Sequence, residues 1–575
     1  MHGNRWNWCI KPSNELEARA IAEALGISML TATVLSARGI DRVEEARRWV
    51  SSSYILDHNP FEIPDMDRAI ERLCRAIQNK EAVCCYGDYD VDGITATSLY
   101  CLFLRQQGVN VSVYIPDRQR EGYGLNERAI RRLADQGISV ILTADCGTTS
   151  FRETSIAQQL GIDVIVTDHH QVREPWPVAS AFLNPHRPDN RYPFPFLCSG
   201  GIAYKLVKAL IRSLPDCGSD CEDYSDLAAL ATIADVVPLC DENRSLVRRG
   251  LLQLHAHLRP GLKAVTERLG VHEPWTAESM AFQLAPVINA AGRLAHAKLG
   301  VELLTCESME AGRQIADILV RLNQQRKVIE QQVVEEALQQ VGSPEPGAGI
   351  VVGARGWHVG VVGIVASRLV ERCHGPVAVV AFDQNGHGRG SVRSIEGVDV
   401  CQVLQECSDL LDGFGGHSAA AGFQLHEARF TEFRERFSWA VAERVSPENR
   451  VPVLAVDAKT HLRFIQPRLI RELDALSPFG VGNPEPVFMA SGLEVLEHRT
   501  VGDAHLKVVL RQPRSVPVSG IGFRLSWMAE AGLLETRRVD VAFVPELRRW
   551  NGLDHVQLRI RDLRPYQPSG VQECH

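Results

Sequence analysis

The sequence predicts a multidomain α/β protein that ends in a small β-barrel. From Ala82 to about Leu183, short apolar runs of the β type alternate with stretches of helical period. A long helical stretch runs from Ser308 to Val341, and beyond Pro452 short alternating runs replace the helices. A chain of 575 residues is long enough for several domains. Together these observations predict two α/β parts joined by a helix and followed by a barrel.

The first α/β part contains four strand signals separated by helix signals. Asn126 can cap one helix, and glycines end the helices because glycine tolerates a left-handed backbone. Strands that alternate with such helices indicate a parallel sheet covered on both faces, whose ligands bind beyond the carboxyl ends of the strands. The predicted strands are Ala82–Tyr86, Val109–Ile115, Ile138–Thr143 and Asp163–Thr167, and the predicted helices are Ile94–Gln107, Asn126–Gln136 and Thr149–Leu160.

The long helical stretch predicts a connecting helix. At 1.5 Å per residue it would reach about 50 Å, and it ends at the Gly- and Pro-rich residues 342–347. Its apolar residues lie broadly on one side, which indicates a packing surface. A coiled-coil dimer is the alternative, although the heptads are imperfect.

The second half continues with another α/β part from Ala348, and this part has two glycine-rich loops, Gly386–Ser394 and Gly413–Ser418. Six short strand signals then follow at a spacing that suggests a small β-barrel. They are Val453–Val456, Leu493–Leu496, Leu506–Leu510, Val518–Phe523, Val539–Val544 and Val556–Ile560.

Composition excludes several classes of protein. Hydrophobic residues make up 45% and charged residues 23%, and no apolar run is long enough to span a membrane. The start lacks the pattern of a signal peptide. Fifteen scattered cysteines, with Cys84 and Cys85 in an apolar run, predict reduced thiols and a cytoplasmic protein. A net charge of −8 argues against a nucleic-acid binder that uses its whole surface, but it allows a local basic channel.

Four clusters that contain carboxylates carry the chemistry. Mostly oxygen ligands with one or two imidazoles suit Mn²⁺, with Mg²⁺ as the alternative, and two such ions about 4 Å apart can activate water for a phosphoryl displacement. The competing interpretation is that strand-end aspartates cap helices and the paired histidines occupy a surface turn. Four clusters in one half of the chain favour the metal site. They are Asp88–Gly93, Thr143–Gly147, Val164–His170 and Ala234–Pro238.

In this order the four motifs resemble those of the DHH phosphoesterase superfamily. Three further stretches, Pro286–Leu294, Gly356–Ile364 and Pro478–Pro484, narrow the resemblance to the RecJ family of bacterial single-strand-specific 5′→3′ DNA exonucleases. The resemblance covers about residues 50 to 565. It implies an N-terminal helical extension (1–50), a DHH catalytic domain (51–305), the connecting helix (306–346), a DHHA1-type substrate-binding domain (347–448), an OB-type single-strand-binding barrel (449–567) and a tail (568–575).

The resemblance also implies roles for the acidic and histidine residues. The metal ligands would be Asp88, Asp90, Asp145, His169 and Asp235, which hold two Mn²⁺ or Mg²⁺ ions, and His170 would face the scissile phosphate. Asp92 would orient the loop from behind the ligands. Some relatives have a histidine ligand where this chain has Cys84, so the first ion would be held differently here.

Substrate binding is expected from both halves of the chain. Gly386–Ser394 interleaves glycines with arginines, which suits a phosphate, although a hairpin with exposed arginines is the alternative. From the resemblance, Ser391 and Arg393 with Arg118 would hold the 5′ end of the DNA, and His417 would contact the strand near the metals. Further candidates are Arg293, Arg389 and His358, together with Trp550 in a basic hairpin of the barrel, whereas Trp527 is expected in the barrel core.

These expectations lead to a metal-dependent exonuclease that degrades single-stranded DNA 5′→3′ to nucleoside 5′-monophosphates in DNA repair and recombination. The alternatives are a DHH-type pyrophosphatase or short-oligonucleotide phosphodiesterase, and a non-catalytic DNA-binding scaffold. The family resemblance suggests single-strand-binding protein and a RecQ-type helicase as partners. We expect a monomer without membrane association.

Overall fold

The computed structural model describes residues 6–51, 53–118, 120–215, 217–271, 274–342, 344–502, 504–535, 538–550 and 552–566. The chain forms two compact units. One contains Ile55–Val333 together with Pro478–Pro484, and the other contains the remaining residues. No helix within the described residues has the length and apolar character needed to cross a membrane.

Within the described residues, eighteen strands form four sheets. They are β1 (Asn7–Ile10), β2 (Ala82–Gly87), β3 (Asn110–Tyr114), β4 (Val140–Ala144), β5 (Asp163–Thr167), β6 (Ala181–Leu183), β7 (Ile350–Arg355), β8 (Val377–Phe382), β9 (His387–Arg393), β10 (Gly413–His417), β11 (Ala420–His426), β12 (Val453–Val456), β13 (Ala458–Lys459), β14 (Phe488–Val501), β15 (His505–Arg511), β16 (Val518–Gly522), β17 (Arg538–Trp550) and β18 (Leu553–Pro565).

The α-helices of the described residues are α1 (Glu15–Leu25), α2 (Met29–Ser36), α3 (Val43–Val50), α4 (Met66–Asn79), α5 (Val91–Gln106), α6 (Glu127–Asp135), α7 (Phe151–Gln159), α8 (Ser199–Ser213), α9 (Ser225–Ala234), α10 (Asp241–Ala256), α11 (Pro260–Leu269), α12 (Ala277–Ser279), α13 (Ala285–Leu294), α14 (Lys298–Thr305), α15 (Met309–Val341), α16 (Val362–Cys373), α17 (Val400–Glu406), α18 (Phe430–Ala442), α19 (Pro467–Asp474) and α20 (Ser526–Glu530).

The first unit is built on a parallel sheet of order β3-β2-β4-β5-β6. Alternate residues of each strand enter different cores: Val83 and Cys85 pack in one cluster, whereas Cys84 and Tyr86 pack in another. Burial on both faces is the property that the apolar runs predicted. The predicted parallel α/β domain is therefore confirmed.

Local signals set the ends of the helices that cover this sheet. The Asn126 side chain accepts a hydrogen bond from the backbone N–H of Ala129 and so caps α6, as predicted. Asp90 caps α5 in the same way by accepting from Gly93. The glycines predicted to end helices, Gly108, Gly137 and Gly161, have φ values of 75°, 75° and 77°.

The connecting helix is observed as α15, with 33 residues. Near its C-terminus, Gln340 pairs with both backbone polar groups of Gly353 on the edge strand β7: its Oε1 accepts from the Gly353 N–H at 3.1 Å, and its Nε2 donates to the carbonyl at 3.3 Å. The sheet that β7 begins has the order β10-β11-β9-β8-β7 and mixes parallel and antiparallel pairs. The side chain thus satisfies an otherwise open sheet edge.

The C-terminal domain is a closed barrel in which β14, β15, β16, β18 and β17 pair in that order and β17 returns to β14. Five of the six predicted strands are in this barrel. The sixth prediction was wrong: Val453–Val456 is β12, which pairs in parallel with β1 near the N-terminus instead of joining the barrel. Trp527, expected in the barrel core, lies in α20 and is half-buried.

The prediction of reduced thiols holds for thirteen of the fourteen cysteines that the structure describes, which are free; Cys574 lies outside the described residues. It is wrong for Cys9, which is disulfide-bonded. Cys9 belongs to β1, the short strand that the sequence did not predict.

Candidate metal centre

The acidic clusters converge at the carboxyl ends of the parallel strands. Asp88 follows β2, Asp145 follows β4, and Asp168 to His170 follow β5. Asp235 comes from the C-terminal end of α9. Because Gly87 and Ala144, which precede Asp88 and Asp145, are register partners, the strands deliver these carboxylates side by side.

His169 lies at the middle of the group. Its Nε2 is 3.3 Å from an oxygen of Asp145, 3.6 Å from one of Asp235 and 3.7 Å from one of Asp92. Three overlapping sets have ligand atoms within 4.8 Å of one another: Asp88–Asp90–Asp145, Asp92–His169–Asp235 and Asp145–His169–His170. The structure thus brings together all seven residues that the sequence predicted for this site.

The electrostatics of the group favour a bound cation. Burial, reinforced by the neighbouring carboxylates, raises the pKa values of Asp88, Asp145 and Asp235 well above their ordinary range. Asp88 Oδ1 is buried and accepts no hydrogen bond within the described part of the chain. A buried carboxylate oxygen without a donor is costly unless a cation satisfies it. The residues present therefore fit a divalent ion.

The donor set identifies the kind of ion. Carboxylate oxygens with one or two imidazole nitrogens suit Mn²⁺ or Mg²⁺ better than zinc. Cys84 adds no sulfur ligand, because it packs in the core on one face of the sheet and burial raises the pKa of its thiol to about 12. The thiol therefore stays protonated and neutral, whereas a cysteine binds a metal as the deprotonated thiolate.

Asp92 is held by the N-terminus of α8. Its Oδ2 accepts from the Ser199 N–H at 2.8 Å, and its Oδ1 accepts from the Gly200 N–H at 2.7 Å. The Ser199 hydroxyl donates to Asp145 Oδ1 at 3.0 Å. With both oxygens occupied and 1% exposure, Asp92 is suited to orient its neighbours. Ser199 was not predicted, because its sequence resembles that of any helix N-terminus and it lies far from both acids along the chain.

His170 is a charged group at neutral pH. Burial opposes its charge, but the hydrogen bond from Nδ1 to Asp168 at 2.7 Å outweighs burial and raises the pKa of His170 to about 9. Asp168 in turn accepts from the backbone N–H groups of Thr148 and His169. Tyr123, which the sequence analysis also missed, donates from its hydroxyl to the Asp145 carbonyl at 2.9 Å and lies 3.2 Å from His170 Nδ1. Its position between Gly122 and Gly124 is a turn signal but not a catalytic one.

Two residues at the site have an unusual backbone. Asp145 has a φ of 66°, and Val236, directly after Asp235, has a φ of 61°. A β-branched residue in the left-handed region is strained. Such strain clusters at functional sites, where the surroundings enforce it.

Two of the predicted arginines are near the Asp88–Asp92 loop. Arg118 lies beside the loop, and Arg293 is on α13, the helix that packs against it. The guanidinium of Arg118 lies 4.6 Å from the centre of the Tyr89 ring. Arg293 is half-buried on α13, next to Gly292. A Cβ on Gly292 would come within 2.3 Å of the Tyr89 carbonyl oxygen, so only glycine lets α13 approach this loop.

The other predicted substrate residues belong to the second unit. Arg389, Ser391 and Arg393 alternate along β9 and so share one face. Arg393 donates to the Ser391 hydroxyl at 2.8 Å, and a Cβ on Gly363, in the first turn of α16, would lie 3.2 Å from its guanidinium. His358 accepts from the Gly360 N–H at 3.0 Å, and burial lowers the pKa of His358. His417 is exposed on β10, and the side chain of Trp550 lies outside the described residues.

An arginine, a serine and a helix N-terminus together suit an anionic phosphate. Val361 at the N-cap of α16 has no polar side-chain atom that would cap the first N–H groups. This second set can therefore bind a phosphate group, whereas the first set can hold cations.

A parallel sheet with acids and paired histidines at its carboxyl edge, followed by a second α/β domain, defines a phosphoesterase of the DHH class. Family models agree: the DHH family N-terminal domain matches residues 82–232, the DHHA1 domain matches 346–443, and the RecJ OB domain matches 456–562.

Individual relatives narrow the class. The chain is 36% identical over 568 residues to the single-stranded-DNA-specific exonuclease RecJ of Bacillus subtilis, covering 98% of this chain and 71% of the relative. It is 33% identical to RecJ of Escherichia coli, covering 92% and 95%. The structure of Thermus thermophilus RecJ with Mn²⁺ superposes with a TM-score of 0.84 at 30% identity, covering 99% of this chain and 80% of that one. The chain therefore belongs to the RecJ family.

Proposed function

We propose that this protein is a metal-dependent exonuclease that degrades single-stranded DNA 5′→3′ to nucleoside 5′-monophosphates, in DNA repair and recombination. The observation that carries the proposal is the set of three carboxylates with oxygens 3.3 to 3.7 Å from His169 Nε2, in a chain of the RecJ family. RecJ of Thermus thermophilus has been solved with Mn²⁺ and with Mg²⁺, which supports the same ions here.

Asp88, Asp90, Asp145, His169 and Asp235 would hold two ions. Bound ions would lower the pKa of a water molecule and neutralise the phosphate oxygens. Water would add to phosphorus, the bond to the 3′-oxygen would break, and that oxygen would leave with a proton. His170, whose protonated ring is favoured by the hydrogen bond from Nδ1 to Asp168, would donate from Nε2 to a phosphate oxygen.

Two features support the choice of substrate. Ser391, Arg393 and the N-terminus of α16 form a cluster suited to the 5′-phosphate. The role proposed for Arg118 at the 5′ end rests on the family resemblance. The closed barrel matches the RecJ OB domain, and its β17–β18 hairpin exposes Arg548 and Arg549. Single-strand binders combine such basic surfaces with stacking platforms.

The direction of degradation is tested with oligonucleotides labelled at either end, in the presence of Mn²⁺. We expect a 5′ label to appear at once as a mononucleotide and a 3′ label to remain on progressively shorter strands. Equal digestion of blunt duplex, or early release of the 3′ label, would contradict the proposal. Faster turnover of pyrophosphate than of long strands would favour the pyrophosphatase alternative.

The metal centre is tested with Asp145→Ala. Because this carboxylate lies in two of the three ligand sets, we expect no detectable nuclease activity in a chain that still folds. Asp67→Ala, which removes an exposed acid of α4, is the matched control and should retain activity. An active Asp145→Ala variant would refute the ligand assignment.

The phosphate cluster is tested with Arg393→Ala. Loss of a charge-assisted hydrogen bond of about 1.5–3 kcal/mol should lower kcat/KM for 5′-phosphorylated strands about 10- to 100-fold. The effect on 5′-hydroxyl strands should be much smaller. Arg434→Ala, an arginine that lies over Phe430 on α18, is the control. An equal loss on both kinds of strand would argue against recognition of the 5′-phosphate.

Single-strand-binding protein and a RecQ-type helicase are further proposed partners, together with a monomeric state and a cytoplasmic location. The family resemblance is their sole support. Co-purification and light scattering would test them directly.

A further inference from the structure

The segment Pro478–Pro484, here called the strap, packs in the unit that carries the metal centre, whereas the residues before and after it belong to the other unit. The strap is one of the motifs that carry the family resemblance, but it has no role in the proposed mechanism. The strap folds back on itself: Gly480 and Asn483 exchange two backbone hydrogen bonds at 2.9 and 3.1 Å. Asn483 is fully buried and donates from Nδ2 to the Pro478 carbonyl at 2.8 Å. The strap is therefore a preformed turn.

The strap packs against the loop that follows Asp235. The Leu239 N–H donates to the Val481 carbonyl at 2.6 Å. A Cβ on Gly480 would lie 2.7 Å from Leu239 Cδ1, and a Cβ on Gly482 would lie 3.1 Å from Pro238 Cβ. The two glycines thus let the strap lie directly on residues 238 and 239.

The loop that the strap covers holds a strained residue. Val236 has a φ of 61°, which is costly for a β-branched side chain, and Asp235 directly precedes it. On its other side, Asn243 Nδ2 donates to the Pro238 carbonyl at 3.1 Å. Strained conformations persist where the surroundings over-determine them, and here the strap and Asn243 fix the loop from two directions.

We propose that the strap is a positioning element for Asp235. By fixing Pro238 and Leu239 it holds Val236 in its strained conformation, and this places the Asp235 carboxylate 3.6 Å from His169 Nε2. The inference rests on the proposed metal centre and adds a role for Gly480 and Asn483. Along the chain the strap directly precedes Glu485 and β14, the strand with which the barrel's closed sheet begins.

The test measures Mn²⁺ binding to the metal-free, full-length protein. Electron paramagnetic resonance monitors binding through the signal of the free ion. We expect Asn483→Ala and Gly480→Ala each to weaken Mn²⁺ binding about tenfold or more, as loss of groups that orient ligands does. Their nuclease activity should recover at saturating Mn²⁺, which a general loss of structure would not allow. Thermal unfolding of the metal-free variants confirms that they fold.

Matched controls separate the strap from its surroundings. Asn190→Ala removes a similar bond, from Nδ2 to the Tyr192 carbonyl at 3.2 Å, and Gly218→Ala adds a methyl group that meets no atom within 4 Å. Both should bind Mn²⁺ within about twofold of the unaltered chain. Unchanged binding by both strap variants, or equal weakening by the controls, would overturn the positioning role. Absence of Mn²⁺ binding by the unaltered chain, or binding unaffected by Asp145→Ala, would instead overturn the metal centre itself.

Discussion

The carboxylates of the metal centre lie closer together than their charges favour. Burial and mutual repulsion raise the pKa values of Asp88, Asp145 and Asp235 in the metal-free protein. For an acid whose pKa is raised by folding, the stabilisation is complete below the ordinary pKa and is lost as pH rises through the raised value. The metal-free protein should therefore lose stability as pH rises.

This effect leads to a prediction for metal removal. In chelator, the unfolding temperature should fall as pH is raised from about 5 to 8, since the acids must then ionise without a counter-ion. A fixed Mn²⁺ concentration equal to 100 times the Kd at pH 7 should restore about 2.7 kcal/mol at that pH. At the same concentration the gain should be smaller at pH 5 and larger at pH 8. Calorimetry with and without Mn²⁺ measures both trends. A stabilisation that is largest at acidic pH would contradict this account.

At the scale of residues, the sequence could predict the ligands but not the groups that orient them. Asp88, Asp145 and His169 follow apolar strands, and the topology of a parallel sheet brings such strand ends together. Ser199 and Tyr123 contact Asp145 across separations of 54 and 22 residues with no local pattern. The left-handed backbone of Val236 likewise has no signal in its side-chain type.

At the scale of elements, an ionic cluster holds Asp57 against α8, close to Ile55, where the unit that carries the metal centre begins. Lys205 on α8 donates to Asp57 at 2.9 Å and to Glu242 on α10 at 2.5 Å, and Lys208 pairs with Asp57. Lys205 is only 1% exposed. A buried charge that loses its partner is strongly destabilising, so the cluster acts as a unit.

Lys205→Met tests this cluster. The change leaves the buried Glu242 and the partly buried Asp57 with fewer partners, and it should lower the free energy of unfolding by about 3–5 kcal/mol. Lys263→Met, an exposed lysine of α11, should change it by less than about 0.5 kcal/mol. Chemical denaturation of the metal-free protein compares the two. Equal effects would show that the cluster contributes nothing specific.

The same cluster predicts that the protein loses stability at low pH. Burial alone raises the pKa of Asp57, but the hydrogen bonds and charges of Lys208 and Lys205 outweigh it and hold that pKa well below its ordinary value. Its stabilisation is therefore present above the ordinary pKa of about 4 and is lost as pH falls further. The gap in stability between the unaltered chain and Lys205→Met should shrink below about pH 4. A gap that widens with acid would rule out this linkage.

Individual strands could be predicted from the sequence, but their pairing partners could not. Strands β2, β4 and β5 were recognisable because buried parallel strands form apolar runs. β12 has the same composition as a barrel strand, and only its pairing with β1 distinguishes it. Pairing over such a distance leaves no trace in local sequence, so the assignment to the barrel was wrong.

At the scale of the whole molecule, the N-terminal segment is part of the C-terminal barrel's packing. Trp8 is 1% exposed, donates from Nε1 to Asp562 at 2.8 Å and lies under the Arg564 guanidinium at 4.3 Å. Lys11 pairs with Asp457 at 3.0 Å. The family resemblance predicted the order of the domains, but it did not predict that the first residues belong with the last domain.

Trp8→Ala should detach this segment. Removal of a buried tryptophan costs about 3–5 kcal/mol, so β1 should lose its protection from hydrogen exchange and become sensitive to proteases. Leu16→Ala, at a position 78% exposed, is the control and should leave the exchange pattern unchanged. Retained protection of β1 in Trp8→Ala would show that the Trp8 contacts are not needed to hold the segment.

The pairing of Trp8 with Asp562 has a consequence for biosynthesis. The two residues are 554 positions apart, and ribosomes add about 5–20 residues per second. The apolar N-terminal strand must therefore wait roughly half a minute to two minutes before its partner is made. During that time it is exposed to chaperones and to neighbouring nascent chains, so β1 is among the last parts of the chain to reach its final place.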